Sequence, residues 1–108
     1  MENLSPEALA MITHRFRILS EPFRLRLLNL VQDREMSVTE LTTELRTSQP
    51  NVSKHLKILS DSGIVRREQR GNAVYYSIAD RSIFTLCDVV CDSLGERLKE
   101  QANLFAVA

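Results

Sequence analysis

Ser48-Gln49-Pro50-Asn51-Val52-Ser53-Lys54-His55-Leu56-Lys57-Ile58-Leu59 is the stretch on which the fold turns. Ser48 is a favoured helix N-cap, and Pro50 falls in the first turn, where a missing N–H leaves nothing unsatisfied. Val52, Leu56 and Leu59 recur at helical spacing and mark a buried face. Lys54 and Lys57 fall on the other side. The first turn offers Gln49, Asn51 and Ser53, whose short polar side chains both donate and accept. Amides and hydroxyls suit base edges, lysines suit phosphates, and a helix N-terminus favours an anion. Two readings stand side by side here: a recognition helix for DNA, or an ordinary amphipathic helix with a solvated polar face.

The flanking segments bear on that choice. Ser37-Val38-Thr39-Glu40 is a capping box that opens a short helix, with Leu41 and Leu45 on its apolar side. Only Arg46, Thr47 and Ser48 separate it from the next helix, which predicts a helix-turn-helix. Ser60-Asp61-Ser62-Gly63 ends the second helix, with Gly63 as the breaker. Two β-rich runs follow, Ile64-Val65-Arg66-Arg67-Glu68 and Ala73-Val74-Tyr75-Tyr76-Ser77-Ile78, around a turn at Gln69-Arg70-Gly71-Asn72. They predict a hairpin. Helix, helix and arginine-tipped hairpin make a winged helix-turn-helix. Arg67, Arg70 and Asn72 lie at or beside the tip, where side chains have little to do for the core and can reach DNA.

Charge is distributed to match. The chain is neutral, with 14 basic and 14 acidic residues. Residues 46–72 nevertheless hold six Lys/Arg and two acids, net +4, while residues 1–45 and 73–108 each come to −2. A phosphate backbone responds to the local field, not to the average.

Outside the winged module the pattern is helical. Ser5-Pro6-Glu7 caps a helix to about Leu19, and Ser20-Glu21-Pro22 ends it and starts another. Phe23, Leu27, Leu28, Leu30 and Val31 face that helix's core side. A last helix runs from Asp80 through about Glu100, with Ile83, Cys87, Val90, Cys91, Leu94 and Leu98 in one apolar stripe. The stripe predicts a subunit contact; packing on its own domain is the alternative. The expected fold is thus mainly α with a small β-hairpin, in the order helix-helix-helix-helix-hairpin-helix, over residues 1–108 as a single domain. A homodimer is expected, because operators read by this motif commonly present two half-sites.

Other classes find little support. No apolar run approaches the roughly 18 residues of a membrane span, and the N-terminus lacks the pattern of a signal peptide. Two cysteines do not make a disulfide scaffold. A cytoplasmic protein is expected. An enzyme is disfavoured: there is no glycine-rich phosphate loop, no supported Cys/His nucleophile and no carboxylate pair in a plausible cleft. Two non-enzyme alternatives stay open, a winged-helix protein-interaction module and a soft-metal thiol-binding protein without operator binding.

The chain resembles the ArsR/SmtB family of bacterial repressors. The resemblance is carried by Ser20-Glu21-Pro22-Phe23-Arg24-Leu25-Arg26-Leu27-Leu28, Val38-Thr39-Glu40-Leu41, Ser48 through Leu56, and Arg70-Gly71-Asn72-Ala73-Val74-Tyr75-Tyr76-Ser77-Ile78. It implies a homodimer joined through its first and last helices. It also implies repression by binding double-stranded operator DNA, relieved by an effector. The candidate DNA-binding residues, read from the recognition helix and the wing, are Ser48, Gln49, Asn51, Ser53, Lys54, Lys57, Arg67, Arg70 and Asn72.

The family's metal sites are not reproduced. Its metalloid motif, Leu-Cys-Val-Cys-Asp-Leu, corresponds to Met36-Ser37-Val38-Thr39-Glu40-Leu41, which carries no thiol. Its zinc positions correspond to Asp80, Ser82, Ser93 and Glu96, a poor donor set for a metal that prefers nitrogen and sulfur. A reactive-sulfur cysteine on the second helix corresponds to Asn29. What remains is Cys87 and Cys91, spaced i, i+4 on one helical face and roughly 6 Å apart at the backbone. They are the candidate effector site, for a thiophilic metal or metalloid or for an oxidant. Two small core residues are the competing reading. No cofactor is expected to be needed for folding.

Overall fold

The computed structural model describes residues 1–106, with side chains through Ala102. Its elements run α1 (Pro6–Leu19), α2 (Pro22–Leu30), β1 (Met36–Ser37), α3 (Val38–Leu45), α4 (Gln49–Asp61), β2 (Val65–Arg70), β3 (Ala73–Ile78) and α5 (Ser82–Ala106).

The helix boundaries follow from local chemistry. Ser5 Oγ accepts from the Ala8 N–H at 3.1 Å and caps α1. Pro6, Pro22 and Pro50 each sit in the first turn of a helix. The Ser37–Glu40 capping box is complete in both directions, each bond at 3.1 Å. Gly63, at φ +74°, terminates α4, with its N–H on the Ser60 carbonyl and the Ile64 N–H on Leu59. Arg46 ends α3 in the left-handed region at φ 51°, a conformation that costs a residue bearing a Cβ.

The sheet departs from expectation in two respects. It has three strands, in the order β1-β3-β2, all antiparallel. Met36 pairs with Tyr76 and Ser37 with Tyr75. A two-residue strand is too short to show a period, so the sequence discloses only the hairpin. The turn is also tighter than expected. Gln69 and Arg70 belong to β2, and only Gly71 and Asn72 lie outside the strands, with Gly71 at φ +60°. Glycine at the first turn position suits the twist of a two-residue hairpin.

One core joins these elements. Leu27, Leu28, Val31, Met36, Leu41, Val52, Leu56, Leu59 and Ile64 are almost wholly removed from water. Ile18 and Leu19 bring in the end of α1, Tyr76 the sheet, and Ile83 the start of α5. Ile83 therefore corrects the expected subunit stripe: at 3% exposure it packs on its own domain. Beyond Cys87, every described residue of α5 is exposed. Val90, Leu94 and Leu98 stand 49%, 55% and 65% exposed. Leu9, Met11 and Phe16 on α1 and Leu25 on α2 are exposed as well.

Candidate nucleic-acid interface

α4 divides cleanly into two faces. Val52, Leu56 and Leu59 are 0% exposed and anchor it on the core. Gln49, Ser53 and Lys57 form an exposed line at i, i+4 and i+8, with Pro50 and Lys54 in the adjoining row. Ser48 Oγ is engaged at the cap, accepting from the Asn51 N–H at 3.3 Å. Asn51 is only half-exposed, and its side-chain amide donates to Thr47 Oγ1 at 3.2 Å. It braces the inter-helix turn, so of the three polar residues expected to face a base, Gln49 and Ser53 are the unencumbered two.

His55 is turned inward. Its ring lies 4.8 Å from that of Phe23 on α2, centroid to centroid, tilted by 44°. Burial holds its imidazole below the ordinary range, and the positive charges of Lys54 and Arg24 add to that, opposed by Glu21. Its Nδ1 and the Arg24 Nε are buried with no hydrogen-bond partner among the described residues.

The cations differ in how free they are. Lys57 pairs with Asp61 at 3.1 Å, one turn along α4. Among the described residues, Arg46, Lys54, Arg66 and Arg67 are exposed and have no acidic partner within salt-bridge distance. Strand register places Arg67 on the sheet face of Tyr76, and Arg66 on the face of Ser77 and Tyr75.

Arg70 does not project as a free tip residue. Its guanidinium pairs with Glu35, approaches Glu68 at 3.7 Å and lies 4.1 Å over the Tyr75 ring. The hydrogen bond from Arg70 lowers the Glu35 proton affinity, and the same bond raises that of Arg70. Glu35 lies in the segment before β1, so this contact ties the wing back to the body. Sequence reading missed it because the partners are 35 residues apart. Of the expected wing residues, only Asn72 lies in the exposed turn between the strands.

The metal positions implied by resemblance do not fit a metal. Ser37 is engaged in the capping box. Asp80 Oδ1 accepts from the Ser82 N–H and Oγ at 3.0 and 2.6 Å, and these bonds, with Arg15, hold its carboxyl below the usual range. Glu96 pairs with Lys99 at 3.7 Å. Among the described residues no group of three His, Cys, Asp or Glu side chains converges. Cys87 is half-buried and Cys91 exposed, both as free thiols. They line an apolar groove of about 570 Å³ with Phe16, Leu25, Val90 and Leu94. Neither is a buried core cysteine of the single chain.

A two-helix reader with a basic wing is what this geometry builds, and comparison with known proteins agrees. Residues 21–67 match the model described as bacterial regulatory protein, arsR family. The HTH-type transcriptional regulator Rv0081 of Mycobacterium tuberculosis is 34% identical over 91 residues, covering 83% of this chain and 80% of that one. This chain belongs to the ArsR family. It is a winged helix-turn-helix transcriptional regulator, not an enzyme. The crystal structure of Rv0081 superposes with a TM-score of 0.78 at 31% identity, over 92% of this chain and 99% of that one. The Synechocystis transcriptional repressor SmtB homolog is 36% identical over 81 residues, 75% of this chain; the match spans 61% of that relative's length. The homodimeric winged helix-turn-helix DNA-binding domain Mb0332 of Mycobacterium bovis gives a TM-score of 0.72 at 26% identity, over 85% of this chain and 91% of that one. No helix among the described residues is long and apolar enough to cross a membrane.

Proposed function

We propose that a homodimer of this chain binds double-stranded operator DNA in the cytoplasm as a repressor. The observation that carries this reading is α4 itself: a face of three wholly buried residues fixes the helix, and Gln49, Ser53, Lys54 and Lys57 stand in two exposed rows opposite. Gln49 and Ser53 read base edges, while Lys54 and Lys57 hold phosphates. Ser48 and Asn51 set the start of the helix. Arg67 and Asn72 meet the backbone from the wing, and Arg70 governs how the wing leans. Dimerisation is supported by the bare apolar residues of α1 and α5 and by the homodimeric state named for Mb0332.

The effector site is assigned to Cys87 and Cys91, with a thiophilic metal or metalloid, or an oxidant, as the agent. Two observations support it. Both thiols line one groove, and the alternative metal positions are engaged in hydrogen bonds and ion pairs of their own. A ligand bound in the seam would alter the spacing of two recognition helices. A coupling of about 1–3 kcal/mol suffices for release.

The test begins with selection of a duplex from a random pool, followed by titration of selected and random duplexes. Gln49→Ala or Ser53→Ala should cost roughly 1–3 kcal/mol at the selected site and relax preference there. Equal affinity of the parent for both duplexes at physiological salt would refute the reading. Arsenite, cadmium and peroxide should release the parent but not Cys87→Ser or Cys91→Ser; equal release of all three proteins would remove these thiols from the mechanism.

A further inference from the structure

One side chain on α1 reaches the far end of the recognition helix. Arg15 Nη2 donates to the Ser62 carbonyl at 3.0 Å, and Nη1 donates to Asp80 Oδ2 at 3.4 Å. Ser62 is the C-cap of α4. Its carbonyl is among those a helix end leaves without an intrahelical donor, and a cation is favoured there. Asp80 meanwhile caps the start of α5 through its other oxygen. The main chain adds ties at the same point. The N–H groups of Ala79 and Asp80 both donate to the Ile64 carbonyl, at 2.9 and 3.2 Å, and the Ile64 N–H returns to Leu59 in α4.

The end of α4 is therefore hydrogen-bonded through backbone to the segment that leads into α5, and to α1 through a single guanidinium. Among the described residues no other side-chain hydrogen bond links α1 to α4 or to the start of α5. Only a planar fork can meet a carbonyl with one nitrogen and a carboxylate with another in this way; an ammonium is a point charge.

We propose that Arg15 is a positioning residue for DNA reading: it fixes the angle of α4 relative to α1 and α5, the helices whose apolar faces are bare. This rests on the DNA-binding homodimer proposed above. In such a dimer the separation of the two recognition helices must match the half-site spacing. A helix free to swing occupies the matching orientation only part of the time, and apparent affinity falls by that fraction. Random duplex has no register to match and loses little.

The experiment compares the parent with Arg15→Met, which keeps the apolar stem, and Asp80→Asn, which keeps a capping side chain on α5 while removing the charge that Arg15 faces. Selected and random duplexes are titrated over a range of salt, and sedimentation and thermal melting are followed alongside. Arg15→Met should lower affinity for the selected duplex by roughly threefold to thirtyfold, the scale of residues that transmit coupling. Its salt slope, its affinity for random duplex and its dimeric state should stay those of the parent. Asp80→Asn should move the selected-to-random ratio in the same direction by less. An unchanged ratio in folded Arg15→Met overturns the inference. So does an equal loss on both duplexes with a flattened salt slope, which would make Arg15 a phosphate contact. If Arg15→Met fails to fold, Asp80→Asn decides: an unchanged ratio there overturns the proposal. A parent that selects no sequence refutes the DNA-reading assignment itself; a parent that selects, with variants that keep the ratio, refutes this inference alone.

Discussion

Exchanging Arg67 for Gln and, separately, Arg70 for Gln separates a cation offered to DNA from one already engaged. The two lie three residues apart on β2, yet among the described residues Arg67 has no acidic partner, whereas Arg70 is held by Glu35 and lies over Tyr75. Each phosphate neutralised by a protein cation contributes about 0.9 to the slope of log affinity against log salt. A two-fold dimer loses two cations per substitution, so Arg67→Gln should flatten the slope by about 1.8. Between about 50 and about 200 mM salt, that difference changes the ratio of parent to variant affinity by roughly twelvefold. Arg70 can meet a phosphate only by leaving a carboxylate that would then face the same DNA. Arg70→Gln should shift the slope by less than about 0.9 and lower affinity by a similar factor at every salt, as the wing loses its brace. Fluorescence anisotropy of a labelled duplex across a salt series measures both, with melting curves as the check on folding. A flattening by Arg70→Gln equal to that of Arg67→Gln would show that the Glu35 pair is exchanged for phosphate on binding, and the reasoning would be wrong.

Leu94→Glu should convert the protein to a monomer and abolish operator binding together, because an unpaired carboxylate is costly in an apolar seam; a variant that still sediments as a dimer rules out α5 as the contact. Gly63→Ala should cost about 1 kcal/mol in urea denaturation, from backbone strain alone, since nothing lies within 4 Å of the added Cβ. No loss of stability would mean the turn relaxes. The depressed proton affinity of His55, set first by burial, makes the unfolded chain the better proton binder below the ordinary histidine value of about 6.5. Its contribution to stability is complete above that pH and is lost as pH falls from there toward the lower folded value. His55→Gln should remove this step from the melting temperature–pH profile, and an unaltered profile would contradict it.

What could be read from the chain was local. The Ser37–Glu40 box, the Ser48 cap, Pro50, Gly63 and the Gly71-Asn72 turn each act within a few residues, so their chemistry is written in consecutive letters. The buried face of α4 was equally legible from Val52, Leu56 and Leu59. What escaped depends on partners distant in sequence. Arg70 reads as a free wing tip until Glu35 is folded beside it, and Arg15 gives no sign of reaching Ser62 and Asp80. Ile83 shares the period of the α5 stripe, but only packing shows that the helix leaves the core after its first turns. Asn51 looks like its neighbours Gln49 and Ser53 until Thr47 takes its amide. The two-residue β1 carries no period at all.

That small strand couples wing and helices in length as well as in space. Ser37 is at once the last residue of β1, paired with Tyr75, and the N-cap of α3. No linker separates the sheet from the first helix of the reading motif, so wing and helices inherit a single spatial frame. Lengthening the chain by one residue at Ser37 would break either the strand register or the capping box. The Gly71-Asn72 tip has no such double duty. A residue added there would lengthen an exposed turn, whereas one added at Met36 or Ser37 would displace the sheet from the helices.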